Sequence, residues 1–252
     1  MKKHTLELED AFEGFLKTKP YSFASKTDSQ SNERVYYMTK ADDVPLEFSA
    51  ILGDALHNLR STLDHLAYHL VLIGGGSEKQ LRSSQFPVYE TRDKYQANRD
   101  FRTEGMRPDA KKAIDEIQPY TGGVGEYLWH LTILNNIDKH RFLPTVWSSF
   151  RGHSALPSDR EFLAKFHGGK PSDYTNDSMI SDPKIAGRGL KVGDEVLRIP
   201  TSESEPDMKF LVNIAFGEPE IVKGNPVTDT LLAMGHYVRR IIFDFDARGL
   251  LV

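Results

Sequence analysis

Two stretches of the chain hold most of the side chains that could carry out chemistry. The first is GDALHNLRSTLDHLAYH, from Gly53 to His69, and the second is LNNIDKHR, from Leu134 to Arg141. Histidine can accept and donate a proton near neutral pH, and arginine supplies a permanent cation for a phosphate group. The polar residues of the two stretches are Asp54, His57, Asn58, Arg60, Ser61, Asp64, His65, His69, Asn135, Asn136, Asp138, His140 and Arg141. These residues are the candidate site.

The first stretch lies within a long predicted helix, residues 45–73. Its leucines recur every three or four residues, and at about 100° per residue they form one apolar stripe that predicts a helix facing a core. The leucines are Leu52, Leu56, Leu59, Leu63, Leu66 and Leu70. The opposite face carries Asp54, His57, Asn58, Ser61, His65 and His69, while Arg60 and Asp64 lie along the edge between the faces. This helix has no lysine and one glutamate, so we expect its polar face to meet another polar surface or to form a site.

The second stretch ends another predicted helix, residues 126–141, and further helices are predicted over 6–17, 107–118 and 227–245. Alternating residues around the turn TDSQSN predict a hairpin of residues 21–26 and 33–39. Beyond Phe142, short segments rich in β-forming residues predict strands at 142–149, 161–167, 189–199 and 209–216. The predicted fold is α+β, a bundle of about five helices with a small antiparallel sheet inserted before the C-terminal helix.

The predicted domain organisation is a single domain, residues 1–252. The helical bundle comprises residues 1–141 and 225–252, and the β-rich insertion comprises residues 142–224. A length of 252 residues is sufficient for one large core.

Composition narrows the class of protein. The chain has no cysteine, which excludes disulfides, thiolate zinc sites and cysteine nucleophiles. Its net charge of −4 argues against stable binding of duplex DNA, which requires a broad basic surface, although a local basic site can still bind RNA. The N-terminal residues lack a signal-peptide pattern, and the longest apolar run is too short to span a bilayer. We therefore expect a cytoplasmic protein that does not enter the membrane.

The segment RSTLDH places Arg60 and His65 with four residues between them inside a helix. This spacing resembles the Arg-x4-His motif of the HEPN superfamily, helical-bundle proteins that include RNA-cleaving toxins and antiviral effectors. The resemblance implies a metal-independent endoribonuclease without a cofactor. In such an enzyme Arg60 would stabilise phosphate charge and His65 would transfer a proton at a ribose 2′-hydroxyl. The remaining polar residues of the two stretches would position or tune these two.

The same resemblance implies a homodimer. Arg60 and His65 are about 140° apart around the helix, so one helix does not bring them to a single phosphate. HEPN proteins overcome this by pairing two bundles with their long helices facing each other. The pair of motifs GDALHNLRSTLDHLA and LNNIDKHR also resembles an uncharacterised bacterial family, and that likeness implies no activity.

Two alternatives come from other classes of protein. A DinB-like metal-binding bundle would draw its ligands from Asp54, His57, His65, His69 and His140. In a structural or interaction protein, polar residues of both stretches would form a hydrogen-bonded seam between two helices, and Arg60 and Asp64 would form an ordinary one-turn salt bridge. The seam residues would be Asp54, Asn58, Ser61, His65, Asn135, Asn136, Asp138 and His140.

Overall fold

The fold is taken from a computed structural model that describes residues 2–140, 146–174, 179–181, 189–203 and 207–252. The contact pattern divides the chain into two compact units. The first comprises Met1–Leu8, Ser49–Pro144 and Thr228–Val252, and the second comprises Glu9–Phe48 and Thr145–Val227. The single-domain organisation stays a prediction. None of the helices in the described part of the chain is both long and apolar enough to cross a membrane.

The main helix of the first unit is α2, Leu46–Ile73, and it confirms the helix predicted from the leucine spacing. All six leucines of the stripe are buried, so this side of the helix forms the core of the unit. The helix ends at Gly74–Gly76. Gly75 adopts a φ of 76°, and a Cβ atom at Gly74 would lie 2.1 Å from the Gly105 carbonyl oxygen. The glycines therefore allow both the turn and a close backbone approach.

Five further helices complete the first unit: α3, Glu78–Ser83; α4, Arg92–Arg102; α5, Pro108–Ile117; α6, Glu126–His140; and α8, Val227–Ala247. Their starts follow local chemistry. The Ser77 hydroxyl caps α3 in a capping box with Gln80, the Thr91 hydroxyl accepts from the Lys94 amide at the start of α4, and Pro108 occupies the first turn of α5. The segment between α3 and α4 has no regular structure, and its Phe86 side chain is fully buried.

The second unit contains two three-stranded antiparallel sheets. In one sheet the order is β1, Tyr21–Asp28; β2, Glu33–Ala41; and β5, Glu195–Pro200. In the other the order is β4, Met179–Ser181; β3, Val146–Ser154; and β6, Phe210–Phe216. A buried apolar cluster includes Tyr36, Phe150 and Val196, so residues from both sheets share it. Helix α1, Lys2–Lys17, continues into this unit, and α7, Pro157–His167, lies wholly within it.

These elements correct the predicted fold. The class α+β and the N-terminal hairpin are confirmed. The predictions of about five helices and of one inserted sheet are wrong. The described residues form eight α-helices and two sheets. The hairpin joins strand β5 through pairs such as Arg34 with Ile199, so residues before α2 complete a sheet that was expected within residues 142–224. Such long-range pairing leaves no trace in local periodicity.

The predicted strand at residues 161–167 is also wrong, because it lies in helix α7. Pro157 occupies the first turn of this helix, and the Asp159 carboxylate accepts a hydrogen bond from the Leu156 amide at 2.9 Å. Proline with a following acidic residue is a helix-start signal. It outweighs the β-type composition of the residues after it.

Candidate functional site

Arg60 is the most constrained member of the candidate site. Its side chain is only 6% exposed, and it donates hydrogen bonds to three different elements of the first unit. Its Nη2 atom donates to Asp64 Oδ1 at 2.7 Å and to the Phe86 carbonyl oxygen at 2.8 Å, and its Nη1 atom donates to Thr132 Oγ1 at 3.3 Å. Arg60 therefore links α2 to α6 and to the segment before α4.

Asp64 completes this arrangement from the next turn of α2. Its Oδ1 atom accepts from the Phe86 amide at 3.0 Å as well as from Arg60. The Phe86 backbone thus has its N–H bound by Asp64 and its carbonyl bound by Arg60. Buried backbone N–H and C=O groups need hydrogen-bond partners, and in this irregular segment the two side chains provide them. We name this the Arg60–Asp64–Phe86 brace.

A polar cleft of about 260 Å³ opens beside the brace. It lies entirely within the first unit, between residues of α2, α4, α6 and the segment that joins α3 to α4. Its lining comprises Arg60, Asp64, Gln85, Phe86, Val88, Tyr89, Arg102, Trp129, Thr132, Asn135 and Asn136. We refer to this as the Arg60 cleft. It combines cationic, amide, hydroxyl and aromatic groups at one place.

The charges at the Arg60 cleft do not cancel. Burial lowers the pKa of the Arg60 guanidinium, the neighbouring Asp64 carboxylate raises it, and the positive charge of Arg102 lowers it. Two arginines and one aspartate line the cleft, which leaves one net positive charge. Arg102 is held by a 3.3 Å hydrogen bond from its Nη1 atom to the Ser83 carbonyl oxygen. The cleft is therefore a place where a small anion would be attracted.

Asn135 and Asn136 from the second stretch both line the Arg60 cleft, and their supporting role in a site stays a prediction. Asn135 is 3% exposed, whereas Asn136 is exposed. The Asn135 Oδ1 atom is buried and accepts no hydrogen bond within the described structure. A buried amide oxygen without a donor is costly, since folding has removed its water without replacing it.

The histidine-bearing face of α2 lies elsewhere. Asp54, His57, Asn58 and His65 are exposed, and none of them lines the Arg60 cleft. Ser61 Oγ lies 3.5 Å from His57 Nε2, and His69 Nε2 lies 3.0 Å from the Leu251 carbonyl oxygen. Within one chain, then, Arg60 is enclosed while His65 faces solvent. The two residues of the motif therefore differ in exposure within one chain, and their convergence on one phosphate in a homodimer stays a prediction.

Part of the second stretch lies outside the described structure. This applies to the side chains of Asp138 and His140 and to the whole of Arg141, so their proposed roles stay predictions. Among the side chains that are described, no group of three or more histidine, aspartate or glutamate residues is arranged to hold a metal ion. The DinB-like ligand set also includes His140 and stays an untested alternative.

Sequence reasoning missed several residues of the cleft. Arg102, Gln85 and Tyr89 come from segments without a periodic pattern or motif, and Trp129 lies on α6 before the second stretch begins. The close spacing of Arg60 and Asp64 was the one local signal, since residues four apart on a helix are neighbours. No protein-family model matches the chain, and comparisons with curated proteins and with solved structures give no match.

Proposed function

We propose that this protein is a HEPN-like, metal-independent endoribonuclease that acts on RNA as a homodimer in the cytoplasm. The observation that supports this best is the placement of the motif. Arg60 is fixed in a cleft with net positive charge, and His65, five residues later on the same helix, is exposed to solvent. The cation is thus preorganised, and the imidazole is free to meet a substrate.

The proposed reaction needs a base, an acid and a cation. An imidazole takes the proton of a ribose 2′-hydroxyl, and the resulting oxygen attacks the adjacent phosphorus. The bond from phosphorus to the 5′-oxygen breaks, and that oxygen takes a proton from the imidazolium that the first step formed. The products are a 2′,3′-cyclic phosphate and a 5′-hydroxyl. Histidine is suited to the proton transfers, and a fixed guanidinium is suited to the charge on the phosphoryl oxygens.

The homodimer supplies what one chain lacks. The exposed face of α2 continues from His65 to Tyr68 and Leu72, which are 46% and 51% exposed. Large exposed apolar side chains beside short polar ones are typical of a surface that contacts a partner, and this face has no lysine. In a symmetric dimer, His65 of the second copy would approach RNA bound at the first copy's Arg60 cleft.

A cleavage assay tests the proposal directly. The substrate is an unstructured ribo-oligonucleotide, and the same oligonucleotide with 2′-deoxyribose serves as the substrate control. We expect His65→Ala to lower the cleavage rate at least 100-fold, whereas His236→Ala, at an exposed histidine of α8 outside the candidate site, leaves it within about threefold. Treatment with EDTA leaves the wild-type rate unchanged. Chromatography of the products gives a 2′,3′-cyclic phosphate end.

Three results would contradict the proposal: no cleavage by the wild type, loss of cleavage with EDTA, or equal rates for wild type and His65→Ala. The dimer is tested separately by sedimentation. We expect Leu72→Lys to shift the protein from dimer to monomer and to lower cleavage in parallel. A monomeric wild-type protein that still cleaves RNA would remove the dimer from the mechanism.

A second function is favoured by one specific observation. Arg60 already donates three hydrogen bonds inside its own chain, which is how a structural residue behaves. Under this alternative the brace serves only stability, and the protein is a noncatalytic binding or structural protein. The cleavage assay separates the two, because a noncatalytic protein gives no rate for His65→Ala to lower.

A further inference from the structure

The net positive charge of the Arg60 cleft belongs to Arg102 rather than to Arg60. Arg60 pairs with Asp64, and three of its N–H donors already bind groups of its own chain. Within the described structure Arg102 has no carboxylate partner, and its one hydrogen bond, to the Ser83 carbonyl oxygen, is long at 3.3 Å. A guanidinium has five N–H donors, so most of those on Arg102 remain available to a ligand.

Arg102 differs in this respect from the comparable arginines of the first unit. It is half-buried, and each other described arginine of this unit that is buried or half-buried has a carboxylate partner. Those pairs are Arg60 with Asp64, Arg99 with Asp115, and Arg107 with Asp109. A charge that is partly removed from water is stabilised by a counterion. An anionic ligand in the cleft would be the counterion that Arg102 lacks.

Neutral donors line the same cleft and have no hydrogen bond within the described structure. They are the side-chain amides of Gln85 and Asn136 and the hydroxyl of Tyr89. Gln85 and Tyr89 belong to the segment between α3 and α4, Asn136 belongs to α6, and Arg102 belongs to α4, so the donors come from three elements. An oxyanion accepts hydrogen bonds from several directions at once, and those with charged groups are the strongest.

A phosphate group fits the size and the charge of the cleft. The volume of about 260 Å³ is below the range of about 300–1,000 Å³ for pockets that enclose a whole small ligand. The cleft is therefore suited to one polar group of a larger molecule, with the remainder of that molecule outside. A phosphodiester carries one negative charge, which equals the net charge of the cleft with the sign reversed.

We propose that Arg102 is the residue of the Arg60 cleft that contacts an RNA phosphate, whereas Arg60 holds the wall of the cleft through the brace. Arg102 lies outside the Arg-x4-His motif, so the motif does not assign it. This inference rests on the proposed function, because it names a residue that binds the RNA strand. A phosphodiester within a strand and free inorganic phosphate share this chemistry, and the test distinguishes them.

The test measures binding of a fluorescein-labelled 2′-O-methyl oligonucleotide by fluorescence anisotropy. The methyl group blocks the proposed nucleophile, so binding is separated from cleavage. Affinity is measured at several salt concentrations, because each phosphate contact to a single strand contributes about 0.7 to the slope of log K against log salt concentration. We expect Arg102→Gln to weaken binding about tenfold, the scale of one charged hydrogen bond, and to reduce this slope by about 0.7.

The matched control is Arg92→Gln. Arg92 is on the same helix, is exposed and does not line the cleft, so this variant loses the same charge at another place and keeps the wild-type affinity and slope. Arg102→Lys retains the charge and is expected to keep the slope, although its affinity falls in part. The Arg102 guanidinium lies over the Phe101 ring, 5.5 Å from its centroid. Arg102→Met retains the apolar stem at this contact and serves as a second neutral variant if Arg102→Gln does not fold.

Two further ligands identify the source of the phosphate. A peptide nucleic acid of the same sequence has a neutral backbone, and we expect it to bind at least tenfold more weakly than the oligonucleotide. Inorganic phosphate competes at constant ionic strength and is expected to bind much more weakly than the strand. A dissociation constant for inorganic phosphate as low as that of the oligonucleotide would overturn the strand phosphate in favour of a free one.

The inference is also overturned if the wild type does not bind the oligonucleotide, if the peptide nucleic acid binds equally well, or if the neutral Arg102 variants keep the wild-type slope. A lower affinity with an unchanged slope assigns Arg102 a structural role only. Cleavage is scored separately. An Arg102-dependent slope without RNA cleavage retains the phosphate contact and rejects the endoribonuclease, whereas cleavage by a protein whose Arg102 variants bind and cleave like the wild type does the reverse.

Discussion

The two polar sides of helix α2 differ although they share one sequence motif. Arg60 and Asp64 lie at the edge of the leucine stripe, and Arg60 is enclosed and bound to three elements. His57 and His65 lie on the opposite side and are exposed. Polar residues next to an apolar stripe are therefore carried into the interior and need partners there, while those opposite it remain available to other molecules.

The largest effect on stability is expected from Arg60→Ala. This change leaves Asp64 without its cation and the Phe86 carbonyl without its donor. Loss of one partner from a buried ion pair costs about 3–5 kcal/mol, and because the Asp64 side chain is 34% exposed we expect about 3 kcal/mol. Urea unfolding followed by circular dichroism measures the change.

Arg60→Lys is the control for the charge of Arg60. Lysine retains the charge but cannot donate to Asp64, Phe86 and Thr132 in one planar arrangement. We therefore expect Arg60→Lys to lose less stability than Arg60→Ala but to remain less stable than the wild type. If Arg60→Ala changes the free energy of unfolding by less than about 1 kcal/mol, the brace is not a stabilising feature. The contrast between the two sides of α2 would then be one of exposure alone.

A smaller loss is expected from Asp64→Asn, about 1.5 kcal/mol. Asparagine retains an oxygen that can accept from the Phe86 amide, but it removes the negative charge opposite Arg60. Asp64→Ala removes the acceptor as well and is expected to cost more. Equal unfolding free energies for these two variants would show that the hydrogen bond to Phe86 contributes nothing.

A pH-dependent effect is expected from His130 on α6, a largely buried imidazole that contrasts with the exposed His65. Burial lowers the pKa of His130, and the Glu126 carboxylate only partly offsets this. The His130 Nε2 and Glu126 Oε1 atoms are 3.9 Å apart, a distance too long for a hydrogen bond. Below pH about 6.5 the unfolded chain binds a proton that the folded chain resists, so stability falls as the pH is lowered toward the folded-state pKa.

His130→Gln is expected to reduce this loss of stability between pH 8 and pH 5, whereas Glu126→Gln is expected to increase it. Urea midpoints of wild type and both variants across this range give the comparison. A steeper fall in the His130→Gln variant than in the wild type would reverse the assigned sign.

The smallest effect on stability is expected from His65→Ala. Exposed substitutions usually change the free energy of unfolding by less than about 0.5 kcal/mol, and no hydrogen bond to the His65 side chain is present in the described structure. By contrast, we expect His65→Ala to cause a large loss of cleavage rate. A destabilisation above about 1 kcal/mol would place His65 with the structural residues, like Arg60.

Local patterns were sufficient to predict several elements. The leucine spacing predicted α2, and the alternation around a polar turn predicted the β1–β2 hairpin. The same kind of reasoning failed at residues 161–167, where composition suggested a strand and the cap at Asp159 formed a helix. It also failed to predict that β2 pairs with β5, more than 150 residues away, because sheet partners are chosen by long-range packing.

By itself the sequence determined which residues of α2 share a face, since helical geometry fixes those angles once the leucines form the core. It also set the close spacing of Arg60 and Asp64. Only the tertiary structure decided that this pair would hold the Phe86 backbone and that Asn135 and Arg102 would line the same cleft. The hydrogen bond from Arg60 to Thr132 beside this cleft joins residues 72 positions apart, and such geometry depends on how separate helices pack.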